Sequence, residues 1–178
     1  MIAMPTEIQD AGQLQALLER VREAPELWQG RVRFDEADRV SVSIGGNEHL
    51  EVWLICWNEG QSSGMHDHDA SHGAAVVVEG QLREDLLGPG GPVASATFGE
   101  GACMLFPAGH IHDMTQVGPT RAVTLHAYSP PLQYVGRYDM GAGQLRRDAV
   151  PRDQDARYVD GWDFGHALSS AATPAHQA

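Results

Sequence analysis

The sequence predicts an all-β sandwich or barrel preceded by one or two short helices, and three observations predict it. Beyond about residue 39 the apolar side chains recur with a period of two, the spacing that turns one face of a strand inward. The apolar runs are short and divided by glycine, proline or asparagine, and the 178 residues include 20 glycines and 10 prolines, which suits many turns. A helical period occurs only near the beginning.

In residues 6–24, Leu14, Leu17, Leu18 and Val21 fall on one helical face, with Thr6 as the expected cap and Pro25 as the stop. A second short turn is expected around Leu27 and Trp28. Strands follow at Val40–Ile44, Leu50–Trp57, Ala74–Glu79, Gln81–Leu87, Ala102–Phe106, Ala122–Tyr128 and Leu132–Tyr138. Gly88 to Pro92 reads as a surface turn. The length fits a single domain over residues 1–165, with its helical segment at 6–30. Residues 166–178, rich in Ala, Ser and Thr with Pro174, read as a mobile tail.

The formal charge of −12 and pI near 5 argue against nucleic acid or an anionic membrane as partner. No secretory leader or spanning run is visible, and Cys56 and Cys103, 47 positions apart inside apolar runs, read as reduced core thiols. These features together suggest a cytoplasmic protein.

Two spaced frames carry the chemistry: Gly60-x5-His66-x-His68-x4-Gly73-x6-Gly80 and Gly101-x5-Pro107-x-Gly109-x2-His112-x3-Gln116. On a strand His66 and His68 share a face. His112, announced by the Pro107-x-Gly109 turn, would join them from another strand, and three histidines from two strands leave one side of an ion open. His110, two before His112, is left as a loop residue or one behind the ligands. Asp67 should point away from the ligand face, toward solvent or a sheet edge. The frames resemble the two halves of the cupin signature, which implies a double-stranded β-helix (jelly-roll) barrel.

In that signature a glutamate about five residues after the second histidine supplies a fourth ligand, and here the position is Gly73. Three neutral imidazoles leave a divalent ion its full charge, which favours an anionic incoming ligand and deprotonates a coordinated thiol. Imidazole suits zinc, copper, iron and nickel alike, and three histidines plus water also describe a hydrolytic zinc centre.

Cys56-Trp-Asn-Glu-Gly60 followed by His66-Asp-His68-x3-His72, and Thr124-Leu-His126-Ala-Tyr128-Ser-Pro-Pro131, resemble the motifs of the thiol dioxygenases, the cysteine dioxygenase family. The resemblance spans roughly Arg39 to Tyr138. By alternation alone, Thr124, His126 and Tyr128 share one face of an otherwise apolar strand, and a buried polar row needs internal partners. The resemblance implies that this row orients the Tyr128 hydroxyl toward substrate, and that the Ser129–Pro130 bond is cis. Animal members crosslink a cysteine to this tyrosine; that position is Gly73 here, as in many bacterial members. For the substrate carboxylate the family uses an arginine from an early strand, or a glutamine in members acting on mercaptopropionate. Arg39 falls nearest to that position, with Arg31 and Arg33 as rivals. His72 matches a family histidine near the site, for which packing and chemical roles are both open. Trp53 and Trp57 are expected in the core.

The resemblance implies a mononuclear Fe(II) enzyme with His66, His68 and His112 on the metal, acting on a small thiol and O2. L-Cysteine converted to its sulfinate is the foremost reaction. A related mercapto acid, such as 3-mercaptopropionate or mercaptosuccinate, is the alternative within the same chemistry. A non-catalytic cupin binding a metal or small anion is the alternative outside it. A zinc or nickel isomerase would need a carboxylate base at the metal, and no motif places Glu79 or Glu84 there.

Overall fold

The computed structural model describes residues 2–88, 91–139 and 145–152. The single described α-helix, α1 (Ala11–Arg22), begins at Asp10 and not at Thr6. The Asp10 carboxylate accepts the Gln13 N–H at 2.9 Å, and the Asp10 N–H donates to the Gln13 side chain at 2.8 Å. This reciprocal capping box satisfies two N–H groups that the first turn leaves open. Before Asp10, Ile2 and Met4 join the core with the spacing of two of an extended segment, while Ile8 is exposed, so no helical stripe precedes the cap. Leu14, Leu17, Leu18 and Val21 are buried as expected, and two 3-10 turns, Pro25–Leu27 and Gln29–Arg31, follow the helix.

The strands are β1 (Val40–Gly46), β2 (Glu51–Trp57), β3 (His66–Asp67), β4 (His72–Glu79), β5 (Leu82–Gly88), β6 (Gly91–Phe98), β7 (Cys103–Phe106), β8 (His112–Gln116), β9 (Ala122–Ser129), β10 (Tyr134–Asp139) and β11 (Arg146–Pro151). They form a five-stranded sheet in the order β1-β2-β9-β4-β7 and a six-stranded sheet in the order β11-β10-β3-β8-β5-β6, with antiparallel pairings throughout. The all-β reading holds. β6 and β11 were not expected: both are largely exposed, so neither shows the alternation of a half-buried strand. Residues 89 and 90 of the expected surface turn and the expected tail lie outside the described residues.

The middle of the five-stranded sheet is buried on both faces. Val52, Leu54 and Cys56 of β2, Ala74 and Val76 of β4, and Val123, Leu125 and Ala127 of β9 pack under α1. The alternate residues Trp53, Ile55, Trp57, Ala75, Val77, Ala122 and Tyr128 form the second cluster, on the barrel side, with Phe106, Met114 and Val135. A slip of one residue in β9 would exchange Thr124, His126 and Tyr128 for Val123, Leu125 and Ala127, so the two-sided burial fixes which row faces inward.

Four glycines of the sequence frames, Gly60, Gly80, Gly101 and Gly109, sit at φ of +72°, +76°, +79° and +76°. That region is costly for any side chain, and it explains why the frames place glycine where strands turn. Gly73 is not among them.

Candidate metal centre

β3 and β8 bring the three histidines together. His66 and His112 are direct partners across the ladder, and His68 follows His66 by two. The ring centroids are 4.7 Å apart for His66–His112, 4.8 Å for His66–His68 and 5.2 Å for His68–His112. One nitrogen from each ring lies within 4.8 Å of the other two. His66 Nδ1 contacts the Gly64 carbonyl at 2.9 Å and His112 Nδ1 contacts Glu84 Oε1 at 2.7 Å, which leaves Nε2 of both rings as the ligating atom.

This donor set fits a metal ion. Both ring nitrogens of His68 and Nε2 of His112 are buried with no hydrogen-bond partner, a costly arrangement that an ion would relieve. Burial pushes the His66 and His68 imidazoles well below their ordinary pKa, and neighbouring imidazoles push the same way. His112 is lowered too, by burial that outweighs the opposing pull of Glu84. All three rings are therefore neutral near pH 7, the form that binds a metal.

Two acidic residues brace the trio. Glu84 on β5 accepts from His112 and, at 3.0 Å on the same oxygen, from His110. Burial would raise its pKa, but these two bonds outweigh burial and hold the carboxyl at about 2. Of the two alternatives expected for Asp67, solvent does not hold and the sheet edge does: it is buried, taking two bonds from Arg147 on the edge strand β11 at 2.7 and 2.9 Å and one from the Tyr138 hydroxyl on β10 at 2.6 Å. Burial together with the Asp67 bond pushes the Tyr138 phenol up to about 12.

The polar row of β9 lies on the same inner face. Thr124 Oγ1 and His126 Nε2 are 2.8 Å apart, and His126 Nδ1 and the Tyr128 oxygen 3.2 Å. All three residues are buried, and burial first, with the His112 and Arg39 charges, lowers the His126 imidazole to about 3. A fourth member was missed: the Trp57 indole N–H donates to Thr124 Oγ1 at 2.9 Å. An indole can only donate. The Thr124 proton has a better acceptor in His126 at 2.8 Å than in the Ile55 carbonyl at 3.4 Å. His126 then carries its own proton on Nδ1 and donates to Tyr128. The Tyr128 ring lies 4.7 Å from the His68 ring, so row and trio are in contact.

Residues 4–141 match the family model described as cysteine dioxygenase type I. The chain belongs to that family. Its members are thiol dioxygenases, so the protein is an oxidoreductase. Cysteine dioxygenase type 1 of Danio rerio is 30% identical over 142 residues, covering 74% of this chain and 71% of that protein. The Rattus norvegicus protein of the same name is 28% identical over 145 residues, covering 76% and 72%. Among solved structures, the TT1209 protein of Thermus thermophilus superposes with a TM-score of 0.51 at 18% identity, covering 71% of this chain and 99% of that one. An uncharacterized conserved protein with a double-stranded β-helix domain from Klebsiella pneumoniae gives 0.52 at 13% identity, covering 67% and 91%. These two likenesses establish the fold as the cupin double-stranded β-helix.

Cysteine dioxygenase family membership directs attention to the three early arginines. Arg31 donates to the Ser43 carbonyl, on β1. The Arg39 side chain is 1% exposed, donates to the Ser62 carbonyl at 3.3 Å and stands 5.3 Å above the Trp57 ring. Of Arg31, Arg33 and Arg39, only Arg39 bears electrostatically on His126. His72 opens β4 opposite Ser129 and is half-buried. The Ser129–Pro130 bond is cis.

Gly73 faces Tyr128 across β4 and β9. A Cβ there would approach Phe106 and Tyr128 to 2.9 Å, tighter than real Cβ contacts. The missing cupin glutamate thus has a local reason: the space is taken by the Tyr128 and Phe106 rings. Cys56 and Cys103 are free thiols, and both belong with the cluster under α1, on the opposite face of the sheet from Tyr128.

Proposed function

We propose that the protein adds both atoms of O2 to the sulfur of a small carboxylate-bearing thiol, L-cysteine first, using a single Fe(II) ion. The observation that carries this reading is the convergence of three neutral, buried imidazoles with no carboxylate among them. His66, His68 and His112 would hold the ion through ring nitrogens. When bound, Fe(II) supplies a redox-active Lewis acid that acidifies a thiol and makes O2 reactive toward sulfur.

The chain's own residues do the rest. Arg39, already inside the protein, pairs with the substrate carboxylate through two parallel N–H donors, which fixes the thiol in one orientation. His126 donates to Tyr128, so the Tyr128 proton is directed away from His126. Trp57 keeps that direction by donating to Thr124. Phe106 and Tyr128, both nearly fully buried, exclude water from the side of the trio they cover.

The test is oxygen uptake by iron-loaded protein with a panel of thiols. Uptake with L-cysteine, with sulfinate as product, supports the reading. Uptake only with 3-mercaptopropionate or mercaptosuccinate reassigns the substrate, and no uptake with any small thiol sinks the assignment.

A further inference from the structure

Resting on the proposed metal centre, we infer that Glu84 is a positioning residue for that centre, acting through His112. The cupin glutamate lost at Gly73 has a counterpart one ring further out.

Three observations support the assignment. Glu84 lies on β5, where Leu86 is the direct ladder partner of His112, so Glu84 is its diagonal neighbour on the same face. The 2.7 Å separation is that of a charge-assisted bond, and the His112 side chain is fully buried while that of Glu84 is 9% exposed. The bond also decides a choice of atom. A carboxylate only accepts, so His112 must carry its proton on Nδ1, and its lone pair on Nε2 points where His66 and His68 converge. Without the anion the proton is free to sit on Nε2, and the ring then presents N–H where a donor is required.

His110 completes the brace. Its Nε2 lies 3.0 Å from the same Glu84 oxygen, and its ring meets the His112 ring edge-on at 5.0 Å. Glu84 is held from two sides, so it cannot rotate away from His112 without giving up both bonds. The net negative charge behind His112 makes that imidazole a stronger donor than an unassisted ring.

The experiment uses metal-free full-length protein titrated with Co(II), comparing wild type, Glu84→Gln and Glu84→Met. Gln keeps size and an acceptor oxygen but removes the charge; Met keeps volume and removes both. Co(II) Kd is expected to rise 10- to 100-fold in Glu84→Gln and further in Glu84→Met. In parallel, imidazole 15N shifts of the metal-free wild type should show His112 protonated at Nδ1, with the proton shared between both nitrogens in Glu84→Met. Should Glu84→Met fail to fold, the Gln variant and the wild-type tautomer still decide. Wild type that binds Co(II) while Glu84→Gln binds it within twofold overturns this inference alone. A wild-type His112 protonated at Nε2 does the same. Wild type that binds no Co(II) overturns the metal centre itself, and this inference with it.

Discussion

The polar row Trp57–Thr124–His126–Tyr128 and the trio His66–His68–His112 touch one another, yet the protein holds them in place by opposite means. β9 is laddered along its whole length, to β2 from Glu51↔Tyr128 to Trp57↔Ala122 and to β4 from His72↔Ser129 to Glu79↔Val123. Backbone alone sets the row. β3 is two residues long, with one ladder pair to β8 and two to β10. Side chains supply what the ladder lacks: Arg147 on Asp67, Glu84 on His112, and Ser63, whose hydroxyl accepts the Met114 N–H at 2.8 Å. β3 carries His66, and His68 lies just beyond its last ladder pair. Its precision therefore depends on residues distant in sequence.

The largest expected effect separates the two regions outright. His66→Ala should abolish both metal binding and thiol-dependent oxygen uptake, whereas His126→Gln should leave metal binding near the wild-type level. Metal titration of both variants checks this, and equal losses would erase the distinction. Tyr128→Phe should lower turnover by on the order of 10²-fold, as expected for a lost proton-handling group, without changing metal affinity. Arg39→Ala should raise KM for carboxylate-bearing thiols by about 10- to 100-fold, corresponding to a lost charged hydrogen bond of about 1.5–3 kcal/mol, and should spare thiols without a carboxylate. Steady-state kinetics with paired thiols reads that difference.

Arg147→Ala should destabilise the fold by about 2 kcal/mol, less than a fully buried pair loses because a third of Arg147 is in solvent. It should also weaken metal affinity, which no substitution in the β9 row should do; denaturant melts with metal titration test both parts. The smallest effect concerns acid. The His126 imidazole is depressed to about 3 in the fold and titrates near 6.5 when unfolded, so the unfolded chain binds more protons between those limits. Stability of the metal-free protein should therefore fall as pH drops below about 6.5. His126→Gln should remove up to about 1.4 kcal/mol per pH unit of that slope. An unchanged slope would show that the ring is protonated in the fold.

What the sequence disclosed follows the same division. His66 and His68, separated by one residue within glycine frames, and Thr124, His126 and Tyr128, alternating on an apolar strand, are local patterns, and the structure brings each set together. The helix stripe was legible for the same reason, although its start was misplaced because Thr6 and Asp10 are both good caps, each with a glutamine three residues on (Gln9 and Gln13), so the local pattern does not choose between them. The supports were not legible. Glu84 meets His112 across 28 positions and Arg147 meets Asp67 across 80, contacts that exist only once β5 pairs with β8 and β11 with β10. Trp57 reads as plain core from sequence because its ring does pack there; only its N–H, 67 positions from Thr124, joins the row.

Gly73 has a consequence for how the enzyme comes into being. With Cys56 and Cys103 both packed on the far side of the sheet and bare backbone against the Tyr128 ring, Tyr128 has no thiol beside it with which to form a thioether. A preparation should run as one band on a denaturing gel, and its first turnovers should be as fast as its later ones.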